Sequence, residues 1–181
     1  MAALADVSEL AAFLQQAIAD DDASAALYLN LASGRVRDYV GQTISQVADD
    51  VVYLDPVGPL VVFLPELPIT EVSLVEALVD GAWTTMDPAT YSVSLKTGAV
   101  AATDGLWPSA PSSWRVTYTH GFEVIPDGVK GVVLALAGDG YSTPVGVDNE
   151  RIGQRSVKYT TRTFNAEELA TLDGYRLGRI G

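Results

Sequence analysis

The chain has 181 residues, no cysteine, one histidine and a formal net charge of −12; 48% of its residues are hydrophobic, only 19% are charged, and its mean hydropathy is +0.20. That length fits one ordinary domain or a domain with an extended tail. The absence of cysteine excludes disulfides, thiolate nucleophiles and zinc-thiolate sites, and a single histidine excludes multi-histidine metal centres.

The opening does not read as a secretory signal, because no basic region precedes the first apolar residues and Asp6 and Glu9 interrupt them. Asp6 with Glu9 three residues on has the spacing of a capping box. Leu10, Phe13, Leu14 and Ala17 then share one apolar face, which predicts a helix over residues 6–19. Asp20, Asp21 and Asp22 supply acid to the start of a second helix over 23–40, a solvated helix start rather than a metal site. Leu27, Leu31, Val36 and Tyr39 form its expected buried face, and Gly41 stops it.

Between 44 and 119 the texture turns to short β-rich runs, VVYLD, LVVFL, ITEVSLVEALVDG, TYSVSL and GAV, divided by Gly58-Pro59, Asp80-Gly81 and Thr97-Gly98. A last strand follows, in which Trp114, Val116 and Tyr118 alternate with Arg115, Thr117 and Thr119. His120 stands at its end, Gly121 and Phe122 make a turn, and Pro126 opens a third helix over about 126–138. Gly138 and Gly140 should loosen that helix's end. A loop, a strand-like SVKYTTR and a short helix AEELATLDGYRL complete the chain. The expected fold class is α+β: two N-terminal helices and a third packed as a body, a small antiparallel β-meander over 44–119, and an extended tail. The body covers residues 1–149 and the tail 150–181.

No run is long enough to span a membrane; the longest apolar one, Val132 to Ala137, is far too short. Nor is there a nucleophile elbow, a phosphate-binding glycine loop or a metalloprotease motif. The loop from Asp139 to Glu150 has the length of a calcium loop, but Tyr141, Thr143 and Pro144 occupy positions that need oxygen ligands and a turning glycine. Carboxylate pairs for glycoside hydrolysis are set by the fold and leave no local spacing. His120 is a structural strand-end residue ahead of a general base, since no motif supplies it with a nucleophile. Trp83, Trp107 and Trp114 are core or subunit-contact aromatics ahead of a sugar platform. The expectation is therefore no catalytic residue, no cofactor and no metal.

Charge is unevenly placed. Residues 1–150 hold five basic and twenty acidic side chains, a net −15, whereas 151–181 hold six basic and three acidic, a net +3. The acidic body repels nucleic-acid phosphates.

The motifs LASGRVRDYVG, LPITEVSLVEALVDG, VTYTHGFEVIPDGVKG and ERIGQRSVKYT, in that order, resemble the head-to-tail connector (adaptor) family of long-tailed bacteriophages. Tyr118, His120, Gly121, Phe122 and Pro126 lie in the third of these, the strongest match. The resemblance implies a non-enzymatic virion protein made in the host cytoplasm and built into the neck at the portal vertex. It implies a dodecameric ring beneath the portal protein, joined to the next neck component, a stopper or tail terminator. DNA passes through such a ring without sequence-specific binding, and no membrane is involved. It also implies that the tail docks the portal, with Arg151, Arg155, Lys158, Arg162, Arg176 and Arg179 facing acidic surface and Leu169, Leu172 and Tyr175 forming a small apolar face. The alternatives are another neck component such as a stopper, in which two N-terminal helices are not expected, and, further off, a carbohydrate-binding module or an uncharacterised hydrolase.

Overall fold

A computed structural model describes the chain except residues 59, 104–106, 144–148, 153–154, 159–162 and 178–181; over 149–152 and 155–158 it describes the backbone. The fold is α+β, as the element pattern implies. The chain forms two compact units, a helical one from Met1–Gly41 with Ile125–Gly181, and a β-rich one from Gln42–Val124.

In the helical unit, α1 (Val7–Leu14) begins with the expected capping box: Glu9 N–H donates to Asp6 Oδ1 at 2.8 Å and Asp6 N–H to Glu9 Oε2 at 3.0 Å. The helix is shorter than its periodicity suggests. Gln15 turns left-handed at φ 55° and its N–H bonds back to Ala11 and Ala12, closing the helix before Ala17 can join it. α2 (Ala23–Val40) has the expected bounds, with Asp22 accepting from Ala25 N–H at 2.8 Å and Gly41 closing it at φ 75°.

The buried face of α2 differs from the expected one. Leu27 and Leu31 are 56% and 55% exposed, and the face turned inward is Ala25, Leu29, Ala32, Ser33, Val36 and Val40. On it Ala25, Ala32 and Ser33 stand beside Leu29, Val36 and Val40, Val36 being the one fully buried residue of the expected face, and α3 (Asp127–Ser142) lies close to α2: a Cβ on Gly140 would stand 2.6 Å from the Tyr28 ring. Likewise a Cβ on Gly138 would stand 3.0 Å from Leu14 Cδ2. These two glycines do not loosen α3, which runs on to Ser142; they are where α2 and α1 fit against it. Lys130 pairs with Glu9, and Tyr141 donates to Asp22 Oδ2 at 3.2 Å. Beyond α3, β8 (Asn149–Ile152) and β9 (Arg155–Lys158) form a two-stranded antiparallel hairpin where a single strand was expected, and α4 (Ala166–Asp173) follows.

The β-rich unit holds β1 (Val47–Leu54), β2 (Val61–Phe63), β3 (Ile69–Val79), β4 (Ala82–Thr85), β5 (Tyr91–Ser94), β6 (Ala99–Ala102) and β7 (Trp114–His120). These seven strands pair antiparallel, but the order is not that of a simple meander: β7 inserts between β1 and β3, giving one sheet β1-β7-β3-β4 and a second β2-β6-β5. Asp80 and Gly81, both at positive φ, form the two-residue turn joining Val79 to Ala82. Both sheets contribute to one core, in which Leu54, Val75, Trp114, Val116 and Tyr118 from the first meet Val62 and Val100 from the second. The alternation in β7 is complete, with Trp114, Val116, Tyr118 and His120 buried and the residues between them half-buried.

Candidate functional site

Three places gather the residues that the sequence singles out. The first is the end of β7. His120 is 2% exposed, its ring stacked on Tyr118 at 4.8 Å between centroids. Its Nε2 lies 3.3 Å from Asp50 Oδ2 and its Nδ1 3.2 Å from Glu66 Oε2. Glu66 is itself held by the N–H and hydroxyl of Thr43, at 3.0 and 3.1 Å. Burial, and then the nearby Asp50 and Glu66 carboxylates, push the Tyr118 hydroxyl well above its usual range. A general base needs a nitrogen directed at a substrate proton, and here each nitrogen faces a carboxylate. The turn that follows is tied by backbone: Gly121 N–H donates to Pro68 O at 2.9 Å, Phe122 N–H to Ile44 O at 2.7 Å, and Gln46 N–H to Phe122 O at 2.9 Å. Pro126, in the helical unit, stands at the N-cap of α3 with φ −58°.

His120→Gln is expected to leave assembly intact and to lower stability by about 1–2 kcal/mol, within the ordinary range for one substitution. Urea unfolding and particle imaging check this. A stable, correctly assembled variant without function would restore the general-base reading.

The second place is the outer face of the β1-β7-β3-β4 sheet. Trp107 and Trp114 are 5% and 0% exposed and lie 3.8 Å apart in the core, with Trp114 Nε1–H donating to Pro108 O at 2.9 Å, so neither offers a platform. Trp83 is half-buried on the opposite face. Tyr53 meets it edge-on at 5.6 Å, and the Arg115 guanidinium sits over its ring at 4.7 Å. Arg115 also makes a bidentate pair with Glu76, Nε to Oε2 at 2.5 Å and Nη2 to Oε1 at 2.6 Å. The hydrogen bond from Arg115 holds the Glu76 carboxyl below the usual carboxylate range. This cluster joins residues from β1, β3, β4 and β7. The only sequence signal for it was that Arg115 lies in the outward phase of β7; its partners depend on a strand order that the sequence does not reveal.

The third place is the tail. α4 carries its own capping box between Asn165 and Glu168, at 2.8 and 2.9 Å. Leu172 is fully buried, while Leu169 and Tyr175 are half-buried. Tyr39 of α2 donates to Asp173 Oδ1 at 2.7 Å and lies 5.4 Å from the Phe164 ring. The bond to Asp173 raises the Tyr39 hydroxyl's pKa. Arg176 is placed over Tyr39 at 5.0 Å. Arg151, Arg155 and Lys158 belong to the β8–β9 hairpin, in which Asn149 is opposite Lys158 and Ile152 is opposite Arg155. Arg162 and Arg179 lie outside the described residues. Of the tail residues whose side chains are described, Leu172 is turned into the packing of the helical unit.

No protein-family model matches the sequence, and no curated protein matches it. Solved structures do share the fold. A chain from the neck of an empty gene transfer agent particle, solved with C6 symmetry, matches at a TM-score of 0.61 and 17% identity, over 98% of this chain and 91% of that one. A chain from the neck of the native particle, solved with C12 symmetry, gives 0.58 and 17%, over 96% and 89%. One from the virion of the native particle gives 0.58 and 18%, over 97% and 94%. Across almost its whole length, then, this chain has a fold found in the neck of gene transfer agent particles.

Proposed function

We propose that the protein is a head-to-tail connector of a phage-like particle: a non-enzymatic virion subunit that forms a ring beneath the portal, joins the DNA-filled head to the next neck component and lets DNA pass. The carrying observation is the likeness of the whole chain, helices and sheets together, to neck chains from particles solved with C6 and C12 symmetry. The helical unit favours a connector over a stopper, for which two N-terminal helices are not expected. The −15 charge of residues 1–150 suits a channel wall that must not grip DNA. In this reading the basic β8–β9 hairpin, with Arg151, Arg155 and Lys158, meets acidic portal surface, and its charges act more on encounter and salt sensitivity than on final affinity.

The test is negative-stain microscopy with mass photometry on the purified protein, alone and mixed with a candidate portal. Closed rings, or portal particles that gain a collar, are expected. A monomer that binds no portal under any condition would overturn the reading.

A further inference from the structure

A groove of about 510 Å³ opens on the helical unit between residues 2–8 and the first half of α2, a volume within the range of ligand sites. Its walls include the small or apolar Ala2, Ala5, Ala26 and Leu29, and two exposed carboxylates, Asp6 and Asp20, stand on it. The groove is preformed. Leu4 is buried and its N–H donates to Ser33 Oγ at 2.9 Å, while Arg37 Nη2 donates to Ala2 O at 2.6 Å, so the N-terminal wall is fastened to α2. Ser8 Oγ–H and Glu9 N–H donate to Asp6 Oδ1 and hold its carboxyl below the usual carboxylate range.

Charge selects what such a groove can take. Residues 1–34 carry five acidic side chains and no basic one, and two cations from elsewhere, Arg37 and Lys130, are bound to Ala2 O and Glu9. DNA and acidic protein surface are repelled here. An arginine fits, because its aliphatic stem covers apolar wall while its guanidinium meets a carboxylate. This chain is net basic over its tail, +3 on a body of −15, and the β8–β9 hairpin in that tail has two unlike faces. By register Asn149, Arg151, Ser156 and Lys158 fall on one, polar and free of acid. Glu150, Ile152, Arg155 and Val157 fall on the other, with Ile152 and Arg155 forming the pair next to the turn and Glu150 set back from it. An isoleucine beside an arginine matches an alanine-walled groove with acids on it. The opposite face, with Arg151 and Lys158, stays available to the portal.

We propose that the hairpin of one copy enters this groove on the next, Ile152 and Arg155 first, so that subunits of net charge −12 meet where their charges are opposite. Groove and hairpin are different patches, as a rotationally closed ring requires. The inference rests on the connector reading and adds to it the contact through which the ring closes.

The chain has no cysteine, so introduced ones report without background. Asn30→Cys, at an exposed position lining the groove, and Ile152→Cys are made as separate full-length chains, mixed, and oxidised, alone and with the portal. A disulfide-linked dimer holding one chain of each kind is expected, and neither chain by itself should give one. Rings that form without the mixed dimer would overturn the contact while leaving the connector reading standing. If neither sample forms rings, the connector reading falls and this inference falls with it. A chain carrying both substitutions that closes its disulfide within itself would also overturn the contact, since the hairpin would then occupy its own groove. Charge supplies a second readout. Asp20→Arg and Arg155→Glu should each lower the ring fraction at least about tenfold, because each sets like charges against one another. Mixing the two variants should restore rings, since every contact in an alternating ring then joins opposite charges; a mixture as poor as either variant would overturn the pairing.

Discussion

Replacing Gly121 by alanine is expected to cost the β-rich unit about 3–5 kcal/mol, near the top of the range for single substitutions. Gly121 has φ +84°, a conformation that L side chains rarely adopt. Space is the larger difficulty. A Cβ there would stand 2.5 Å from Ser45 O, 2.8 Å from Ser45 C and 2.9 Å from Ile44 O, all backbone atoms that cannot rotate away. Those atoms are fixed in turn, since Ile44 O accepts from Phe122 N–H and the segment is bridged at Ser45 and Phe122. Ile44 is itself at φ 67°, costly for a β-branched residue, so the segment has no relaxed alternative close by. The measurement is direct, because Trp83, Trp107 and Trp114 all lie in the β-rich unit and none in the helical one. Urea unfolding followed by tryptophan fluorescence should therefore show a large fall in the midpoint. Gly131→Ala is the comparison: nothing lies within 4 Å of its Cβ position in α3, and it should stabilise the helical unit by about 0.5–1 kcal/mol, read by the helical circular dichroism signal. A Gly121→Ala midpoint close to the parent's would refute the account of this turn.

That turn was legible in the sequence because the signals that announce it are local, although the backbone that holds it, at Ile44, Ser45 and Pro68, is not. An alternating strand, a glycine and a proline-started helix each act within a few residues, as do the capping box at Asp6 and the Asp80-Gly81 hairpin. What escaped the sequence depends on distant neighbours. The buried side of α2 sets Ala25, Ala32 and Ser33 beside Leu29, Val36 and Val40, and a reading weighted to large apolar residues finds Val36 but turns Leu27 and Leu31 inward as well. Gly138 and Gly140 read as helix breakers until their packing partners are known. The insertion of β7 between β1 and β3 brings Arg115 to Glu76 and Trp83, and His120 to Asp50, and strand order has no local signature. Leu172 was legible as apolar, but not whether it would face its own unit or a partner.

Leu172→Asp should destabilise the helical unit by about 3–5 kcal/mol, combining the loss of a fully buried leucine with the cost of placing a carboxylate in its cavity. Leu172 is 0% exposed and is the fully buried side chain of α4, which also meets α2 through Tyr39 to Asp173 at 2.7 Å, the Tyr39–Phe164 ring pair, and Leu177 N–H to Val40 O at 3.3 Å. With so short a helix, the effect should appear first as undocking of α4, read as lost hydrogen-exchange protection over 166–173, with tryptophan fluorescence from the β-rich unit unchanged. Retained protection in α4 would refute this. The same packing decides how portal docking by the tail can be tested. Deleting 150–181 removes α4 together with the basic hairpin, so a loss of portal binding would not separate docking from damage to the helical unit. Reversing the charge of Arg151, Arg155 and Lys158 keeps the whole of α4, Leu172 included, in the chain. If the hairpin meets the portal, that variant keeps its α4 protection and loses portal binding; if it binds as before, the docking surface lies elsewhere on the chain.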